Sequence, residues 1–317
     1  MPKNGSDVTS AAIRLARAYT NRKLIIRCRQ QPFLSFNDWF IASTSKANGI
    51  PKDVGEWVLS FDYNSIESLE KLFDEYPNQI ACVIMEPFTD ELPKDGFLEK
   101  VKLICEKAGT VLIFDEIICG FRTHVSGGQS IYNVTPHLST FGKGIANGYP
   151  MAVLCGRSDI MKLGNMDKNV FLLSCTFGGE TIGITAADAC IDFMLLEKTP
   201  EAMTEYGTAL MQHFNSLISK HDLCKFIRIS GHPARPELRF KNNGQTDLAL
   251  KTLFMQKMFE HHIFMERIAL SHSHGKDELS ATKSALDIVI PFLNTCIKND
   301  QVNNEIIGNT VVPVFTY

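Results

Sequence analysis

An α/β architecture, a mainly parallel sheet flanked by helices with a smaller α+β unit after it, is the fold class this sequence predicts. Three observations predict it. Through residues 1–200, short apolar runs rich in β-branched residues alternate with amphipathic stretches, the pattern of βαβ units. The runs are nearly continuous in apolar character, as strands buried on both faces are. Beyond residue 200 the pattern changes to longer helical stretches separated by short strand candidates. At 317 residues the chain is long enough for both units, and the expected division is 1–200 and 201–317.

The elements follow in order. Asn4-Gly5-Ser6-Asp7 opens a helix whose apolar or small residues fall at Val8, Ala11, Ala12, Leu15, Ala16 and Tyr19, with Ser6 or Asp7 as the expected cap. A strand is expected at 24–28, a helix at 65–76 and a strand at 80–85, running into Glu86-Pro87. A helix at 97–107 feeds a strand at 110–114, which ends at Asp115-Glu116. Another strand is read at 151–156 and a long helix at 181–196. The second unit reads as a helix (201–220), strands (226–230 and 237–240), a helix (246–261), a strand (263–267) and a last helix (276–297). The tail after Asn299 lacks helical periodicity.

Composition excludes several classes. The net charge is −3, and no basic patch or tail points to nucleic acid. There is no apolar stretch of about 18 residues for a membrane span. MPKNGSDVTS has no hydrophobic signal core. The nine cysteines are scattered, form no CxxC pair and sit mostly in apolar runs, which argues for a reducing cytoplasm. His272 and His274 alternate, but no third ligand stands at a recognisable spacing, so no metal site is expected.

The chemistry concentrates at two positions. Asp115 stands at the carboxyl end of an apolar strand, where ligands of open α/β sheets bind. Lys143 stands between Gly142 and Gly144 in LSTFGKGIANGYP, where a ligand can approach the backbone closely. An amine and a carboxylate so disposed are what an enzyme needs to hold pyridoxal phosphate, the amine for a Schiff base and the acid for the pyridine nitrogen. On spacing alone a surface lysine in a turn is the more ordinary reading of Lys143.

Longer motifs separate the two. The segment Asp115, Glu116, Ile117, Gly120, Phe121, Arg122 fits D-E-V/I-x-x-G-F-R. Thr140, Gly142, Lys143, Ile145, Gly148, Pro150 fits T-x-G-K-x-I-x-x-G-x-P. With these motifs in order, the chain resembles the class III (fold type I) PLP-dependent aminotransferases from about residue 4 to about 293. Within them it is most similar to the glutamate-1-semialdehyde 2,1-aminomutase branch. The resemblance implies Lys143 as the Schiff-base lysine and Asp115 as partner of the pyridine nitrogen. Ile117 would pack on one ring face and Phe33 would stack on the ring. Gly5 and Ser6 would hold the phosphate, and Thr176 would reach the phosphate of a neighbouring subunit in a homodimer. Glu180 and Arg235 are candidates for substrate contacts.

The implied reaction moves an amino group from a small-molecule donor to a carbonyl acceptor, through the lysine Schiff base and pyridoxamine phosphate. Ile118 stands where ornithine- and GABA-type relatives carry glutamine, which favours the aminomutase branch. Departures from the family pattern also occur. The phosphate loop stands near the start of this chain, which implies an N-terminal truncation. Residues 28–39 replace a G-Y-H-G-W-x-D-W-like stretch, with Leu34 and Ser35 in place of histidine and glycine. His137 stands where an aspartate usually follows the proline. An inactive remnant of the family is the alternative expectation.

Overall fold

The computed structural model describes residues 2–165, 170–172 and 174–312. The chain forms two compact units. One contains the described residues up to Phe88 and Pro93–Lys198, and the other contains Thr89–Leu92 and the described residues from Thr199 onward.

The first unit is a six-stranded sheet in the order β2-β1-β3-β4-β5-β6. Its strands are β1 (Leu24–Cys28), β2 (Val58–Phe61), β3 (Ile80–Met85), β4 (Val111–Asp115), β5 (Leu138–Phe141) and β6 (Val153–Gly156). All neighbours run parallel except β5 and β6, which pair antiparallel. Successive side chains on a strand point to opposite faces. Ile26, Val83, Met85, Leu112 and Phe114 therefore pack on one face, against helices α2 (Ile66–Glu75) and α3 (Phe97–Lys107). Ile25, Cys82, Ile84, Val111 and Ile113 pack on the other, against α1 (Gly5–Thr20) and the Trp39 and Phe40 side chains. This double burial is why the strands read as unbroken apolar runs.

Helix α1 is capped two to three residues earlier than the sequence suggests. Asn4 is the N-cap, and its side-chain oxygen accepts from the Asp7 backbone N–H at 3.0 Å, so Ser6 and Asp7 lie inside the helix. The unit ends with α4 (Thr181–Glu197).

The second unit packs helices α5 (Thr199–Lys220), α6 (Leu248–Glu260) and α7 (Lys276–Lys298) with an antiparallel sheet. That sheet comprises β7 (Ile227–Ser230), β8 (Glu237–Asn242) and β9 (Gln245–Thr246). Two expectations are corrected here. Residues 263–267 are not a strand. The sheet edge is instead taken by β9, which residue 246 joins as part of a hairpin rather than as the start of a helix. The cause is Asn243-Gly244, both at positive φ (49° and 81°), the backbone that two-residue hairpin turns need. Asp247 then caps α6 by accepting from the Leu250 N–H at 2.8 Å. From residue 300 to 312 the tail carries no helix or strand, and residues 313–317 lie outside the described residues.

Candidate active site

The carboxyl ends of β3, β4 and β5 and the N-terminus of α1 face one cavity of about 520 Å³, in the range of small-molecule sites. Asp115, Ile117, Lys143, Gly5, Ser6 and Phe33 all line it. Thr176, Glu180 and Arg235 do not.

Asp115 is the last residue of β4 and is buried. Its Oδ1 accepts from the Ile117 backbone N–H at 3.0 Å and from the Thr140 hydroxyl at 3.3 Å. Thr140 sits opposite Asp115 in the β4–β5 register, so strand pairing itself brings the hydroxyl to the carboxylate. Among the described residues Oδ2 has no hydrogen-bond donor. Burial, and then the Glu86 carboxylate, push Asp115 up to about 7, against the Ile117 N–H, the Lys143 charge and the Thr140 hydroxyl.

Glu86 follows β3 and also lines the cavity. Its backbone is held by Gln31, a fully buried side chain. Gln31 Nε2 donates to the Glu86 carbonyl and Gln31 Oε1 accepts from the Glu86 N–H, each at 2.8 Å. Segment 28–36, the part of the sequence that departs most from the family pattern, is thus built into the unit. Gln31 braces the strand end, while Phe33, Leu34 and Phe36 line the cavity. Phe33 meets Phe40 edge-on, with ring centroids 5.8 Å apart.

Glu116 points elsewhere. It is fully buried and accepts from the Gly128 and Gln129 N–H groups, both at 2.8 Å, which ties the following loop to the strand end. Burial pushes it to about 7 as well.

Lys143 follows β5 in a left-handed conformation, φ 42°, rare for a residue with a β-carbon. Its carbonyl accepts from the Asn147 N–H at 3.2 Å, so the turn that presents the amine is closed on itself. Such strain is stored where surrounding structure overdetermines the backbone, commonly at functional sites. Ile117, nearly buried, packs against Gly142, where a β-carbon would lie 3.4 Å from its Cγ2. Gly5 leaves no room for a side chain either, since a β-carbon there would run into Ile117 Cδ1. Ser6 is buried, and its Oγ accepts from the Phe36 N–H at 3.0 Å.

The remaining sequence candidates are found as follows. Thr176 is exposed in the turn between Cys175 and Gly178. Glu180 caps α4, accepting from the Ile182 and Gly183 N–H groups at 2.7 and 2.9 Å, and pairs with Lys3. Arg235 belongs to the second unit, 3.9 Å from Glu237. Lys3, Asn4 and Tyr149 line the cavity without having been singled out by sequence. The signal available for the first two was their adjacency to Gly5 in a helix-opening turn. Among the described residues no group of three His, Cys, Asp or Glu side chains is arranged to hold a metal ion.

The cavity therefore brings together an amine, a buried carboxylate with an open oxygen and a helix N-terminus. Residues 1–256 match the model of the class-III aminotransferase family, and the chain belongs to that family. Pyridoxal phosphate is the cofactor of that class. Solved structures share the fold. A FumI protein from Sphingopyxis sp. MTA144, in its PLP internal aldimine form, superposes with a TM-score of 0.83 at 24% identity over 93% of this chain and 71% of that one. An omega-transaminase from Sphaerobacter thermophilus gives 0.80 at 21% identity over 92% and 73%. An S-selective transaminase from Arthrobacter sp. with alanine bound gives 0.78 at 20% identity over 92% and 75%.

Proposed function

We propose that this cavity holds pyridoxal phosphate and transfers amino groups between a small-molecule donor and a carbonyl acceptor. The observation that carries the reading is the shared placement of Lys143 and Asp115 in one cavity, with an Asp115 oxygen open to a donor. The donor set fits the cofactor. Lys143 would hold it through its amine, Asp115 Oδ2 would accept the pyridine N–H, and the α1 N-terminus at Gly5 and Ser6 would take the phosphate. Phe33 and Ile117 would cover the ring faces.

The bound cofactor supplies an electron-withdrawing ring that makes the substrate α-carbon acidic. Lys143 Nζ, in its unprotonated form, would take the proton from the donor's α-carbon and, in the return half of the reaction, give one to the acceptor's former carbonyl carbon. Asp115 in its charged form would hold a proton on the pyridine nitrogen, and pairing with that N–H would favour the carboxylate against the burial that raises it. Thr140 and the Ile117 N–H fix which carboxylate oxygen faces the ligand. Phe33 and Phe36 line the cavity wall and offer apolar surface to the ligand.

Two finer readings belong to the same proposal. Ile118 lines the cavity, and its similarity to the glutamate-1-semialdehyde aminomutase branch supports rearrangement of one substrate over exchange between two. The enzyme is a homodimer, with Thr176 reaching the partner's phosphate site, and the larger unit serves as cofactor domain with the second as small domain. Exposed apolar side chains along α4 (Ile182, Phe193, Leu195 and Leu196), with Phe177 beside it, support a covered face. All nine cysteines are free, in keeping with a cytoplasmic protein, and no helix among the described residues is long and apolar enough to cross a membrane.

The test is a visible absorption titration with pyridoxal phosphate, beside a Lys143→Ala variant. A lysine-dependent band that bleaches on adding an amino donor is expected. No band, or the same band in the variant, would sink the reading. Product analysis then separates the branches, since an aminomutase isomerises one substrate and releases no keto acid.

A further inference from the structure

Lys3, a cation that lines the cavity, is paired with Glu180 at the start of α4. Lys3 Nζ lies 2.5 Å from Glu180 Oε1, and both side chains are largely shielded (22% and 27% exposed). Glu180 is itself fixed, because its carboxylate accepts from Ile182 N–H and Gly183 N–H. Lys3 and these backbone donors hold the Glu180 carboxyl below its usual range. The neighbourhood is shaped for the pair. A β-carbon at residue 183 would fall 2.7 Å from Glu180 Oε1 and 3.6 Å from Lys3 Nζ, and glycine stands there. The chain on the other side of Lys3 is also anchored, with the Pro2 carbonyl accepting from Ala152 N–H at 3.0 Å. Lys3 immediately precedes Asn4-Gly5-Ser6, the turn that opens α1 onto the cavity, and Glu180 ends the turn that carries Thr176.

We propose that Lys3 is a positioning residue whose ion pair with Glu180 clamps the Asn4–Ser6 turn to α4 and so sets the cavity's affinity for a ligand phosphate. The inference rests on the cofactor reading above. Lys3 acts through the geometry of the turn, and its charge is already neutralised by Glu180. The α1 N–H groups reach an anion only when the turn is seated, so loosening the clamp weakens phosphate recognition and spares the rest of the ligand.

The experiment compares equilibrium binding of pyridoxal phosphate with that of pyridoxal, which lacks the phosphate, using the full chain and its Lys3→Met, Lys3→Arg and Glu180→Gln variants. Inorganic phosphate serves as a competitor. Lys3→Met and Glu180→Gln should each weaken pyridoxal phosphate and inorganic phosphate about tenfold, the scale of one lost charge-assisted bond, and leave pyridoxal within about twofold. Lys3→Arg should restore most of the affinity. Equal binding by Lys3→Met and the parent overturns the inference, as does an equal loss of pyridoxal. Tighter phosphate binding by Glu180→Gln also overturns it, because a freed Lys3 would then be touching the anion itself. A parent with no Lys143-dependent absorbance is a different result, in which the cofactor reading falls and takes the clamp's role with it.

Discussion

An unfolded aspartate loses its proton near 3.9, whereas burial beside Glu86 brings Asp115 to about 7. Between these values the folded chain binds the extra proton. The stability this group contributes is complete below about pH 4 and is lost as pH rises through about 7. Asp115→Asn keeps an oxygen for Ile117 N–H and Thr140 but cannot ionise. In the cofactor-free protein it should flatten the fall in unfolding free energy between about pH 4 and 7, by up to ~4 kcal/mol. Glu116, raised in the same direction, leaves a residual slope. Urea melts across that range check this, and the same variant should lose amino transfer by about 10²–10³-fold. His137 has the opposite sign. Its Nδ1 accepts from Leu112 N–H at 2.8 Å, and burial, with Arg157 and Lys102, lowers it against Glu106 and Asp159. Its contribution is intact above the ordinary imidazole value of about 6.5 and is lost as pH falls through the lower folded value. His137→Phe should cost ~1–3 kcal/mol at pH 7.5 by orphaning the Leu112 N–H, and should remove the acid-side loss.

At the scale of elements, the sheet was legible because its strands are buried on both faces. Residues 24–28 and 80–85 coincide with β1 and β3, and 97–107 with α3. β2 and β5 were passed over, each being a run of four residues with a serine inside it. The false strand at 263–267 has the right composition, yet strand identity depends on a partner, and the Asn243-Gly244 hairpin supplies the sheet edge first. Within the site, Asp115 and Lys143 could be picked out because strand ends and glycine-flanked turns leave marks in sequence. Gln31 could not, since its role is a pair of hydrogen bonds to a backbone 55 positions away. Segment 28–36 reads only as a departure from the family pattern for that reason. Gln31→Leu should show the difference. It leaves the Glu86 N–H and carbonyl without Gln31, at about 1–3 kcal/mol per orphaned group, and the urea midpoint should fall accordingly. An unchanged midpoint would mean the strand end does not need its brace.

For the whole molecule, the apolar exposure along α4 carries the prediction. The parent should sediment as a dimer at micromolar concentration, and Ile182→Glu with Leu196→Glu should yield monomers that keep their far-UV circular dichroism. Sedimentation of a monomeric parent would remove both the dimer and the shared site. The link between Lys3 and Glu180 spans 177 positions, and that between Pro2 and Ala152 nearly as many. Contacts so distant along the chain are slow to form, because the loop between them must be closed before either end is rewarded. On refolding from urea, secondary structure should therefore return in an earlier kinetic phase than the capacity to bind pyridoxal phosphate. Stopped-flow circular dichroism and cofactor absorbance, recorded on one sample, would order the two phases. A chain caught between them has its sheet before it has its ligand, and for that interval it is exposed to proteolysis without the protection that binding confers.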